Sequence, residues 1–111
     1  MNVPAPFEFD VAHTGRVRTQ FAKYVNGRLA IQLVSADSCE GILSAGEPVG
    51  MLTVNIPSAE LEDGEFLVKT WSENEDLAGG ALASGRFVDT GRRVPTGHVE
   101  AQVWRFKSDG E

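Results

Sequence analysis

One thiol and two imidazoles are the side chains with the greatest chemical reach in this chain. They are Cys39, His13 and His98. A cysteine beside a histidine can form a nucleophile and its base. Here Glu40 follows the cysteine, and a neighbouring carboxylate raises a thiol pKa instead of lowering it. No third residue is placed to orient a base, so Cys39 reads as an incidental loop cysteine. Metal chemistry fares no better. The histidines are far apart, and neither Cys-x-x-Cys nor His-x-x-x-His spacing occurs. The carboxylates between Glu60 and Asp76 lack the Asp-x-Asp-x-Asp-Gly order of a calcium loop. Gly79-Gly80 has no Lys and Ser/Thr pair after it, so it cradles no phosphate. Paired carboxylates for glycoside chemistry need a substrate cleft, and one small sheet leaves little room for one. The expectation is a non-enzymatic protein with no catalytic residue, no metal and no cofactor.

Charge is the feature left to explain. Between Glu60 and Asp76 stand seven acids (Glu60, Glu62, Asp63, Glu65, Glu73, Glu75, Asp76) and one base, Lys69, a net of −6. The other nine acids and nine bases of the chain cancel. A field this concentrated steers association with a basic partner. Acids at a turn and at a helix start also favour solubility and helix stability with no partner at all. An acidic balance argues against direct nucleic-acid binding, which needs a basic footprint. Arg92-Arg93, with Arg86 and Arg105, can form a small basic patch, but a solvated hairpin tip is the plainer reading.

At 111 residues the chain reads as one domain, 1–111, with a modest core. A lone cysteine excludes an internal disulfide and fits a reducing cytoplasm. No basic n-region with an apolar h-region opens the chain, and no apolar run approaches membrane-spanning length.

The elements that must carry these residues follow from period and punctuation. Residues 1–12 form an extended N-terminal arm, and Phe7 and Phe9 alternate with Glu8 and Asp10 as in a short strand. Arg16 to Val25 is a strand. Asn26-Gly27 is a hairpin turn, and Arg28 to Val34 is the return strand. A two-residue turn would face Tyr24 with Leu29; a bulged loop would face Val25 with Leu29 and Phe21 with Leu33. Ser35 to Gly46 reads as a long loop. Pro48 to Ile56 is a strand with Leu52, Val54 and Ile56 on one face, ended by Pro57. Glu65 to Trp71 is the next strand, with Phe66 and Val68 on one face and Leu67 and Trp71 on the other.

Ser72 to Glu75 matches a capping box with Ser72 as N-cap. A helix then runs from about Glu73 to Ser84 and stops at Gly85, with Leu77, Ala78, Ala81 and Leu82 facing the sheet. Gly79-Gly80 implies either a close approach to the sheet or a marginal helix. Arg86 to Asp89 is a short strand, Thr90-Gly91 and Pro95-Thr96-Gly97 are turns, and His98 to Phe106 closes the domain. Lys107 to Glu111 is a polar tail. Trp71 and Trp104 suit either the core or an interface, with one of them in the core. The sum is an α+β domain: an antiparallel sheet of five to six strands with one helix on one face.

Tyr24 to Val34 (YVNGRLAIQLV), Gly46 to Pro57 (GEPVGMLTVNIP), Leu61 to Gly85 (LEDGEFLVKTWSENEDLAGGALASG) and Thr90 to Phe106 (TGRRVPTGHVEAQVWRF), taken in order, resemble a family of small uncharacterised phage and mobile-element proteins. That family includes anti-CRISPR proteins. The stretch Ser35 to Ala45 is longer here than the family's tight connection. The resemblance implies an inhibitor of a type I CRISPR surveillance complex. Such complexes hold nucleic acid on basic surfaces, and the seven acids would bind there and block target DNA. The alternative is a structural or regulatory binding module of a mobile element, with a homodimer through a sheet edge as one form of it.

Overall fold

A computed structural model describes residues 3–36 and 46–107. Among the described residues there are seven strands: β1 (Glu8–Val11), β2 (Gly15–Lys23), β3 (Leu29–Ser35), β4 (Pro48–Met51), β5 (Glu65–Val68), β6 (Phe87–Thr96) and β7 (Val99–Phe106). A 3-10 turn, Ser72–Asn74, leads into an α-helix, α1 (Glu75–Ala83). The fold is α+β, but the strands divide into two antiparallel sheets, ordered β1-β2-β3-β4 and β5-β7-β6. The expectation of one five-to-six-stranded sheet is corrected on both counts.

The cause lies after β4. Pro48 to Ile56 does not continue as one strand on one face. Leu52 turns into the main core, while Val54 and Ile56 pack against a second cluster formed by Ala59, Leu67, Ala101 and Val103. Residues 52–54 therefore pass from one sheet to the other. Leu52 N–H donates to Ile31 of β3 at 2.9 Å, and Lys69 N–H donates back to Leu52 at 3.0 Å. Thr53 bridges to Val68 of β5.

The N-terminal arm is part of the first sheet. Phe9 pairs with Val17 along β1–β2, and Phe7 exchanges bonds with Thr19. The alternation read there places Phe7, Phe9 and Val11 inside, with Glu8 and Asp10 exposed. All six phenylalanines and Trp104 meet in the main core, with Phe87 central among Phe7 (5.5 Å), Trp104 (5.6 Å) and Phe106 (5.6 Å). Trp104 is fully buried, whereas Trp71 is only partly buried at the second cluster. Phe66 and Val68 face the main core and Leu67 faces the second, as the alternation requires.

The Asn-Gly hairpin forms, in neither anticipated register. Tyr24 N–H donates to Arg28 O, and Gly27 N–H donates to Tyr24 O, both at 2.8 Å. The loop is Val25-Asn26-Gly27, with Gly27 at φ 83, and it pairs Lys23 with Leu29 and Phe21 with Ile31. This is the three-residue loop that needs a left-handed residue in its third position.

α1 begins two residues later than expected. Ser72 has φ 59 and makes no capping bond; Asn74 precedes the helix and caps nothing either. An N-cap serine needs an extended backbone, so the capping box is not formed. Gly85 at φ 75 ends the helix as anticipated. Leu77, Ala78 and Ala81 are buried, but Leu82 is 39% exposed, against the expectation that it faces the sheet. Thr90-Gly91 is not a turn. It is a bulge within a single ten-residue β6, where the register with β7 shifts between Asp89 and Arg93. A turn and a bulge both use a glycine at positive φ, here Gly91 at φ 88, so the dipeptide signals either.

Candidate partner-binding surfaces

The seven acids do not form one surface. Glu60, Glu62, Asp63 and Glu65 occupy the approach to β5. Glu73 lies in the 3-10 turn, and Glu75 and Asp76 open α1. The first group borders the β2–β3 hairpin. A hollow of about 280 Å³ is lined by Glu62, Asp63 and Gly64 on one side and by Lys23, Gly27 and Arg28 on the other. The second group borders the β1–β2 turn, where His13 Nδ1 lies 3.1 Å from Asp76 Oδ2. Those two turns cap opposite ends of the nine-residue β2, which spans about 26 Å at ~3.3 Å per residue.

The two groups differ in how far their charge is answered. In the first, Glu65 is structural. Its side chain is only 8% exposed, pairs with Arg92 and accepts the Glu62 N–H at 2.8 Å. Arg92 also donates to Glu60 O at 2.7 Å. From the hairpin, the Arg28 guanidinium donates to Ile56 O at 2.8 Å and to Ala59 O. Two arginines thus clamp the 56–65 segment onto the sheets. Glu60, Glu62 and Asp63 stay exposed on it. In the second group Glu75 is exposed, and Asp76 is 51% exposed beside a histidine that is itself 87% exposed. Of Glu73 only the backbone is described.

The residues weighed for chemistry are scattered. His13 stands in the β1–β2 turn and His98 in the β6–β7 turn, at separate places in the fold. Cys39 and Glu40 lie outside the described residues. Among the described residues no three of His, Cys, Asp and Glu gather as a metal site. Among them too, no helix is long and apolar enough to cross a membrane.

Arg92 and Arg93 do not make a hairpin tip. They flank the β6 bulge, where Arg93 grips Asp89 through two bonds of 2.9 and 3.0 Å. The Asp89 carboxylate also accepts the Gly91 N–H at 2.9 Å. The Arg93 bond, with help from that N–H, holds the Asp89 carboxyl below its ordinary pKa. On the outer face of β1–β2, Arg16 bonds Glu8 and Asp10 at 3.1 Å each, which raises its guanidinium pKa further. Sequence reading missed both arginine clamps, because Arg28 and Arg92 act on main-chain carbonyls more than 25 residues away, where no local pattern signals them. In comparison with known proteins, no protein-family model, no curated protein and no solved structure matches the chain.

Proposed function

We propose that the protein is a non-enzymatic, anti-CRISPR-like inhibitor. It binds a basic, nucleic-acid-binding surface of a host complex through its acidic side chains and keeps target DNA off that surface. The observation that carries this reading is the concentration of the whole net charge of −6 between residues 60 and 76, with Glu60, Glu62, Asp63, Glu75 and Asp76 presented to solvent. A surface that neutralises DNA phosphates is complementary to carboxylates arrayed in their place. The segment resemblance to phage and mobile-element proteins supports the type of host partner. The arginine clamps support it as well, because a preordered acidic loop loses less entropy on binding.

The test is a phage challenge of cells with an active type I system, with and without the protein. Restored phage growth supports the reading, and lysis unchanged across several subtypes sinks it. The other reading, a structural or regulatory module dimerising through a sheet edge, is weighed below against the chemistry of those edges.

A further inference from the structure

The outward face of the four-stranded sheet carries a groove of about 730 Å³ that the acidic surfaces do not involve. Its origin is a run of cross-strand pairs. Ala22 faces Ala30 and Gln20 faces Gln32 across β2–β3, and Gln32 faces Met51 of β4. Two alanines side by side leave a notch between longer neighbours. Met51 stands 38% exposed at its wall.

Arg18 lies one step further along β2 on the same face and also lines the groove. Its acid neighbour is already committed. Glu8 Oε1 and Asp10 both serve Arg16, and Arg18 Nε reaches Glu8 Oε2 only at 3.9 Å. Among the described residues, the two terminal nitrogens of Arg18 meet no protein acceptor. A guanidinium with both of these open binds a carboxylate in bidentate fashion. The two glutamine amides each donate and accept, which suits a peptide main chain.

We propose that this groove docks a short polypeptide segment that carries a large apolar side chain next to a carboxylate. The apolar side chain fills the notch over Ala22 and Ala30, and the carboxylate meets Arg18. Charge selects the occupant: the groove ends on a cation, so it suits an acidic segment and not the basic partner proposed above. Size argues against a second copy, because the groove is lined by nine residues, whereas a stable dimer uses about 20–30 residues per partner. This docking site stands or falls independently of the inhibitor reading.

The experiment is a two-dimensional NMR titration of the full isotope-labelled chain with three blocked dipeptides: acetyl-Phe-Glu-amide, acetyl-Phe-Lys-amide and acetyl-Ala-Glu-amide. Expected are saturable shifts of residues 20–22 and 30–32 with the first, and at least tenfold weaker effects with the other two. Ala22 is exposed, so Ala22→Leu fills the notch without entering the core and should weaken binding tenfold or more. Arg18→Gln should erase the preference for Glu over Lys. No saturable shift, equal response to all three peptides, or undiminished binding by Ala22→Leu would each overturn the proposal.

Discussion

Thr53 joins the two sheets: its backbone bridges to Val68 of β5, and its hydroxyl holds the β2–β3 hairpin. Its Oγ1 accepts the buried Ile31 N–H at 3.0 Å and meets the Tyr24 hydroxyl at 2.9 Å, and the residue is 3% exposed. Thr53→Val keeps the shape and orphans a buried donor, which costs about 1–3 kcal/mol. The unfolding free energy from urea titration should fall by that amount, whereas Thr53→Ser, which keeps the acceptor, should recover most of it. Asp89 acts on a smaller scale. Its pKa is depressed in the fold by Arg93, so the unfolded chain binds the extra proton. Its contribution is therefore present above the ordinary carboxylate pKa and lost as pH falls through the folded value. Asp89→Asn should flatten the loss of stability below about pH 4 and cost about 0.5 kcal/mol at neutral pH, the scale of an exposed pair. A slope in acid unchanged by the substitution would remove Asp89 from the account.

α1 sits close enough to β1 that one of its two central glycines is obligatory. A Cβ on Gly80 would lie 2.5 Å from the Asp10 carbonyl oxygen and 3.2 Å from Val11 Cα, both backbone atoms that cannot swing aside. A Cβ on Gly79 would meet nothing within 4 Å. Gly80→Ala should therefore destabilise by about 1–3 kcal/mol through overpacking. Gly79→Ala should stabilise by about 1 kcal/mol through helix propensity. Thermal midpoints moving in opposite directions would bear this out, and a matched pair of gains would refute the close approach. The two adjacent glycines signalled that approach in the sequence, but not which glycine makes it. The same limit runs through the other elements. Period-2 alternation located β1 and β5 because each buries its apolar residues in a fixed pattern. The hairpin register, the unformed capping box at Ser72 and the β6 bulge depended on contacts made across the fold. Asn74, for instance, spends its amide on the Met51 and Lys69 carbonyls, at 2.6 and 3.3 Å, and so anchors the helix entry from outside it.

At the scale of the molecule, the sheet edges and the charge bear on the rival readings. β6 is one edge of the three-stranded sheet, and it presents Arg92, Arg93, the Gly91 bulge and Pro95. Those are the devices by which an edge resists pairing with a second copy. The β1 edge lies under α1, whose Gly80 approaches the Asp10 backbone. Association is then better sought in the acidic ends, and the structure divides that test in two. Opposite ends of β2 cannot both be covered by a small flat patch, so one group should dominate. At the hairpin end Lys23 and Arg28 stand across the hollow from Glu62 and Asp63. At the helix end the described ion-pair partner of Asp76 is the exposed His13 rather than a lysine or arginine. The helix end therefore projects the stronger negative field. Glu75→Lys with Asp76→Lys should abolish inhibition in the phage challenge and weaken binding to the purified complex at least tenfold. Glu62→Lys with Asp63→Lys should weaken it less. Both effects should shrink as salt is raised from 50 to 200 mM, because the interaction is screened. Both pairs are exposed, so circular dichroism should stay native in each variant. Equal losses from the two pairs would mean that the partner spans the whole length of β2, and no loss from either would end the electrostatic account.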